Sequence, residues 1–228
     1  MKIAIHQPNY LPWIGFFDKL DQVDSFVLLD TARHSKSGFV HRNKIKTPSG
    51  PLTLSVPLKN KEYPINELLI AQETNWQHQH WKAIEANYKK SPYWSLYKDG
   101  FEQIFQQQWS HLSDLNITII EHIVSLLNIS TKLVKESSLH INFGQRNTRN
   151  VNIVSHLKGT TYLSGEGARI YNDPLLFKEH QIELIYQQFN HPRYLQRWGE
   201  FIPNLSIIDM LFNCGPSTLE LIRSSRNG

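Results

Sequence analysis

Short apolar runs separated by polar loops set the plan of the chain. "KIAIH" is a buried strand, "PWIGFFDKLDQVD" carries helical spacing with Pro12 in its first turn, and "SFVLLD" is a second strand. The opening is therefore a strand–helix–strand unit, most simply parallel and right-handed. "FVHRNKIK" and "PLTLSVPL" flank "TPSG" as a hairpin, and the alternation of Leu52, Leu54, Val56 and Leu58 predicts one buried strand face. From Thr74 to Asn128 the period turns helical. One helix ends before Ser91-Pro92; a second gathers Trp94, Tyr97, Phe101, Ile104, Phe105 and Gln108 near one face. A third, capped by Ser113, carries a stripe of Ile117, Ile120, Val124 and Leu127. Strands and helices then alternate through "KLVKES", "RNVNIVSHLKG", "TTYLSG", "PLLFKEH" and "IELIYQQF", and two short helices broken at Gly215-Pro216 close the chain. The predicted class is α/β, a mainly parallel sheet flanked by helices, with a β-hairpin and a helical insertion. The expected divisions are an α/β part with the hairpin over 1–73, a helical insertion over 74–129, and an α/β part over 130–228 completing the same domain.

Composition narrows the setting. The 228 residues are 40% hydrophobic and 19% charged, which supports a folded core and excludes a disordered chain. Six tryptophans, nine tyrosines and eleven phenylalanines suit a cavity lined by flat side chains. A net charge of +4 and a pI near 9.1 point to an anionic partner but are too mild to indicate nucleic acid. The single Cys214 excludes an internal disulfide or a multi-cysteine zinc site and fits a reducing compartment. No apolar run approaches the roughly 20 residues that span a bilayer, so no membrane insertion is expected and a cytoplasmic location is.

Four stretches carry candidate chemistry. Parallel sheets bind ligands at the carboxyl ends of their strands, which is where His6, Gln7, Asn9, Tyr10 and Trp13 fall. His6 is a general base, a phosphate contact or a hydrogen-bonded core residue; Gln7, Asn9 and Tyr10 offer polar contacts and Trp13 a stacking face. Second, no acidic residue occurs between Asp30 and Glu62, while Arg33, Lys36, Arg42, Lys44, Lys46, Lys59 and Lys61 are basic. Arg42, Lys44 and Lys46 share one strand face, suited to phosphate or to a solvated hairpin edge, and Asn43 suits a sugar or phosphate. The expectation is that this hairpin and the tip of the first strand enclose one anion-holding hollow. Third, "YLSGEGARIYND" places Ser164, Gly165, Glu166, Gly167, Arg169 and Tyr171 after a strand. Its glycines admit backbone amides to an anion, and Glu166 is a second acid/base candidate. It matches neither dinucleotide nor P-loop fingerprints, nor a nucleophile elbow. Fourth, His191, Arg193, Tyr194 and Gln196 form a polar–aromatic loop. Asp209, on an apolar helix, requires a buried partner, and anchoring this loop is its simplest task. His78 and His80, two apart on a helix, point away from each other and argue against a metal. Cys214, beside Gly-Pro on an apolar helix, reads as inert.

Taken in order, "IHQPNYLPWIGFFDKL", "DSFVLLD", "RNKIKTPSGPLTLSVPL", "YLSGEGARIYND", "HPRYLQ" and "FIPNLSIIDMLFNCG" resemble the WbqC-like family. That family is associated with bacterial O-antigen and other surface-polysaccharide (lipopolysaccharide) gene clusters, so the resemblance implies a pathway more firmly than a reaction. "LPWIGF" also resembles the place where adenylyl- and cytidylyltransferase-like folds carry His-x-Gly-His, with Trp13 and Phe16 standing where the histidines fall. This implies a nucleotide-binding-like scaffold and counts against ordinary nucleotidyl transfer. The expected function is a transferase that modifies a nucleotide-activated amino sugar by acyl or aminoacyl transfer, with His6 and Glu166 as catalytic candidates. Alternatives are a non-catalytic nucleotide-sugar-binding or scaffold protein of the same pathway, and an aminoacyl-tRNA-dependent transferase. The residues name no cofactor, no metal and no oligomeric state.

Overall fold

A computed structural model describes residues 1–35 and 38–227. The chain runs through β1 (Lys2–His6), α1 (Ile14–Asp21), β2 (Ser25–Leu28) and the hairpin strands β3 (Arg42–Thr47) and β4 (Gly50–Ser55). Helices α2 (Trp76–Tyr88), α3 (Trp94–Gln106) and α4 (Leu112–Leu126) follow. The alternating half comprises β5 (Lys132–Lys135), α5 (Arg146–His156), β6 (Thr161–Ser164), α6 (Pro174–Glu179) and β7 (Glu183–Tyr186). Helices α7 (Ile207–Cys214) and α8 (Thr218–Ser224) end it, joined by a 3-10 turn at Gly215-Pro216.

Five strands form one parallel sheet in the order β5-β2-β1-β6-β7, and β3-β4 form a separate antiparallel pair. The class is α/β. Alternate residues of each strand serve opposite faces of the sheet. Ala4, Phe26 and Leu28 join Phe16, Phe17 and Leu20 of α1 in a cluster that continues without a break into α2, α3, α4 and α7. Ile3, Ile5 and Val27 pack on the other face with Val151, Val154 and Phe177 of α5 and α6. The helices of the 74–129 stretch thus share a core with the sheet.

Several boundaries differ from the sequence reading. Trp13, in an extended conformation, precedes the first helical residue Ile14, so Pro12 lies outside the first turn. Helix α4 starts after His111, which places Ser113 inside it rather than at its cap. Helix α5 begins at Arg146, three residues earlier than its apolar pattern suggested. In the hairpin Leu54 and Val56 are buried as the alternation predicts, but Leu52 near the turn is 40% exposed. Gln108 lies beyond the end of α3 and is exposed.

Candidate functional site

The strand order creates the site. From β1 the chain steps outward through β2 to β5, then returns to the other side of β1 with β6 and continues to β7. Connections leaving β1 and β6 therefore diverge, and a crevice opens at the carboxyl end between them. The register shows the opening: β1 pairs with β2 as far as His6–Leu28, but with β6 only to Ala4–Leu163.

Two cavities, about 450 and 530 Å³, occupy this opening and share His6, Lys19, Gly165 and Gly167. The one on the α1 side adds Trp13, Phe16, Glu166, Arg169 and Phe189. The one on the α5 side adds Gln7, Arg146, Arg149, Ser164, Tyr171 and Asn172. A third hollow of about 950 Å³ adjoins it through Arg146 and Arg149 and is lined by Arg33, Asn66, Glu136 and His140.

His6 Nδ1 lies 2.9 Å from the Gln7 carbonyl oxygen. A carbonyl only accepts, so Nδ1 carries the proton and Nε2 keeps its lone pair. The ring stands edge-on to Phe16 at 5.0 Å. Burial, and next the charge of Lys19, push its pKa down to about 3. His6 is thus a neutral acceptor, and it lacks the near-neutral pKa that a free general base needs. Lys19, from α1, is 4% exposed and donates to the Ile5 carbonyl at 3.1 Å; burial lowers its pKa to about 7. Glu166 receives Arg169 at 2.7 and 2.9 Å, which holds its carboxyl below the ordinary value, and Arg169 lies 4.0 Å over the Tyr186 ring. Arg149 is tied to Glu136 and Thr31, whereas Arg146 is exposed at the start of α5. Ser164 is buried and accepts from Asn172 Nδ2 at 2.9 Å. A Cβ added at Gly165 or Gly167 meets no atom within 4 Å, so both backbones face open crevice. Gln187 braces the end of β7 against α1 through the Gly15 carbonyl and Asp18. The Trp13 indole lies over Gly15 and meets Phe189 edge-on at 5.2 Å.

The structure separates other candidates from this crevice. Tyr10 is 0% exposed, with its hydroxyl 2.8 Å from His80 Nδ1, and Asn9 is buried beside it, so neither presents a face to a ligand. The hairpin packs on α2 and α7 instead of closing over His6: Asn43 donates to the Leu11 carbonyl, and Lys44 accepts from Ser206 through its backbone. Arg42 and Lys44 line neither crevice cavity. The single hollow expected between His6 and the hairpin is therefore replaced by one between β1 and the β6 loop. Arg33 reaches the adjoining hollow, and its carbonyl accepts from Gln7. Lys36 lies outside the described residues.

His191 commits both ring nitrogens, Nδ1 to the Pro192 carbonyl and Nε2 to the Asn204 amide, and Tyr194 donates to Asp209 at 2.8 Å. Asp209 also receives Tyr88 at 2.9 Å, so it anchors the 194–200 loop. Lys46, buried under that loop, donates to Gln196 at 3.0 Å and to the Glu200 carbonyl. His78 is exposed and His80 buried, on opposite sides of α2. Burial raises the Cys214 thiol to about 11. Lys19, Arg146, Arg149 and Gln187 were absent from the sequence reading. The signal for the two arginines was available, because a helix that follows a parallel strand starts at the sheet's carboxyl end.

Among the described residues no helix is long and apolar enough to cross a membrane. Rv1507c of Mycobacterium tuberculosis, described as an uncharacterized protein, is 35% identical over 230 residues, covering 99% of each chain. No solved structure gives a significant match. The sequence model of the WbqC-like protein family matches residues 7–221, nearly the whole chain, and the chain belongs to that family.

Proposed function

We propose that this protein is a cytoplasmic enzyme of bacterial surface-polysaccharide assembly that modifies a nucleotide-activated amino sugar by acyl or aminoacyl transfer. The observation that carries the reading is the convergence of His6, Gly165, Gly167 and Arg169 on one crevice at the sheet's switch point. Open backbone at the two glycines suits a diphosphate, with Arg146 and Arg169 as its cationic contacts. Trp13 and Tyr171 supply flat walls for base or sugar. The fixed tautomer of His6 turns Nε2 into an acceptor that orients the attacking amine. The adjoining hollow of about 950 Å³ gives room for the donor. Membership of the WbqC-like family, which the resemblance associates with surface-polysaccharide gene clusters, supports the pathway part of the reading.

The test is a thermal-shift series across nucleotide sugars, nucleoside triphosphates and charged tRNA, followed by mass spectrometry of reaction mixtures. Stabilisation by a nucleotide amino sugar and a product heavier by one acyl group supports the reading, with His6→Ala retaining binding and losing transfer. Stoichiometric binding without product replaces it with a scaffold role. A preference for charged tRNA with steep salt dependence replaces it with the tRNA-dependent reading.

A further inference from the structure

The β1–β6 ladder stops short of Ile5, which leaves the Ile5 carbonyl facing the point where the two strands part. Lys19 reaches that carbonyl from α1, its Nζ 5.8 Å from the centroid of the Phe26 ring, and it lines both crevice cavities. Among the described residues no carboxylate lies within ion-pair distance of it; Asp18, its neighbour on α1, is engaged by Arg226 and Gln187. A lysine that only filled packing space had no reason to bring its head to the wall shared by both cavities. One that only carried charge had no reason to lack a counter-ion.

We infer that Lys19 is the proton acceptor of this site, an uncharged amine that takes the proton from the attacking amine of the substrate. The inference rests on the group-transfer reading above. The new C–N bond forms between sugar nitrogen and acyl carbon, the bond from acyl carbon to the donor's leaving atom breaks, and the nitrogen's proton passes to Lys19 Nζ. Lys19 then returns that proton to the leaving group, so charge and atoms balance within one turnover. His6, neutral, faces the same cavity from β1, and Arg146 and Arg149 line it from α5, Arg149 paired with Glu136. Glu166 and Arg169 of the β6 loop neutralise each other, while Tyr162 and Tyr171 present phenols. Burial accounts for an amine that loses its proton near pH 7.

Two measurements test it. In protein carrying ¹³Cε-lysine, one resonance, assigned by its loss in Lys19→Arg, titrates near neutral pH; a Lys19 resonance unchanged to pH 10 overturns the inference without any assay of activity. Second, wild-type transfer rises with pH to a plateau. Lys19→Arg keeps a donor for the Ile5 carbonyl but never gives up its proton, binds nucleotide sugar like wild type, and loses roughly 10²- to 10⁴-fold in turnover. A merely structural lysine predicts wild-type turnover and pH profile in Lys19→Arg, and that result sinks the proposal. Absence of transfer in the wild type removes the group-transfer reading and the proton-acceptor role together. An ordinary lysine titration in an active wild type removes the proton-acceptor role alone.

Discussion

At the scale of single residues, the glycines after β6 separate folding from binding. Gly165 has φ −70° and ψ 148°, a conformation any residue adopts, and its added Cβ meets no atom within 4 Å. Neither backbone strain nor packing requires glycine there, and under the proposed function the open space is where the ligand approaches. Gly165→Ala is expected to unfold at the same temperature or slightly higher, since alanine restricts the unfolded chain by about 0.4–1 kcal/mol. Nucleotide-sugar affinity falls about tenfold or more, equivalent to about 1.4 kcal/mol. A calorimetric melt and a binding titration on one sample check both, and unchanged affinity removes Gly165 from the ligand's path. Asp209 is the contrasting case, a polar residue fixed by the fold. It is 0% exposed and receives two tyrosine hydroxyls. Asp209→Ala leaves those hydroxyls without their acceptor and removes a negative charge near the buried Lys46, and is expected to cost about 3–5 kcal/mol in urea unfolding. A loss below 1 kcal/mol shows that the network relaxes onto water.

Elements explain what the sequence made legible. The strands of the sheet and helices α1, α5, α6 and α7 announce themselves by apolar period and punctuation because each signal is local. The order β5-β2-β1-β6-β7 is not local, and only that order brings His6 of β1 beside Gly165 after β6. The basic hairpin misled for the same reason. Its charges were visible, but the packing of Asn43 and Lys46 against the loops before α1 and α7 was not. Lys19 was hidden because a lysine in "FFDKLD" reads as the wet face of a helix, whereas its stem is long enough to cross α1's buried side. The corrected placement has a direct test. Lys44→Glu on the exposed hairpin edge leaves nucleotide-sugar affinity within about twofold, since exposed charges beyond about 10 Å are screened at 0.1 M salt. Arg146→Ala, at the start of α5 and on the cavity wall, weakens binding by about tenfold. The reverse ranking in titrations at that salt returns the anion to the hairpin.

For the whole molecule, burial of bases sets the response of stability to pH. His6, His41 and His80 sit near 3, 4 and 4 in the folded protein against an ordinary 6.5, and His122 and His191 are lowered too, desolvation leading in each. On unfolding they take up protons below pH 6.5. Their contribution is thus whole above that pH and is lost as pH falls toward 4, each proton adding a slope of about 1.4 kcal/mol per pH unit at full uptake. Asp209, raised by burial, opposes this only in the acid range of carboxylates. A second rise lies higher. Lys19 sheds its proton near pH 7 when folded and near 10.5 when unfolded, so between these values the unfolded chain holds one proton more and stability climbs with pH. Lys46, shifted downward by desolvation, adds to the climb, while the buried Tyr10, Tyr88, Tyr162 and Tyr194 reverse it as unfolded tyrosines ionise near pH 10. Those groups are common to wild type and Lys19→Met, so subtracting the two urea-stability curves isolates Lys19. The difference is expected to grow by about 1.4 kcal/mol per pH unit from pH 7.5 to 9.5. Parallel curves over that interval mean that the folded lysine keeps its proton, and a group still charged at pH 9.5 has no lone pair with which to accept another.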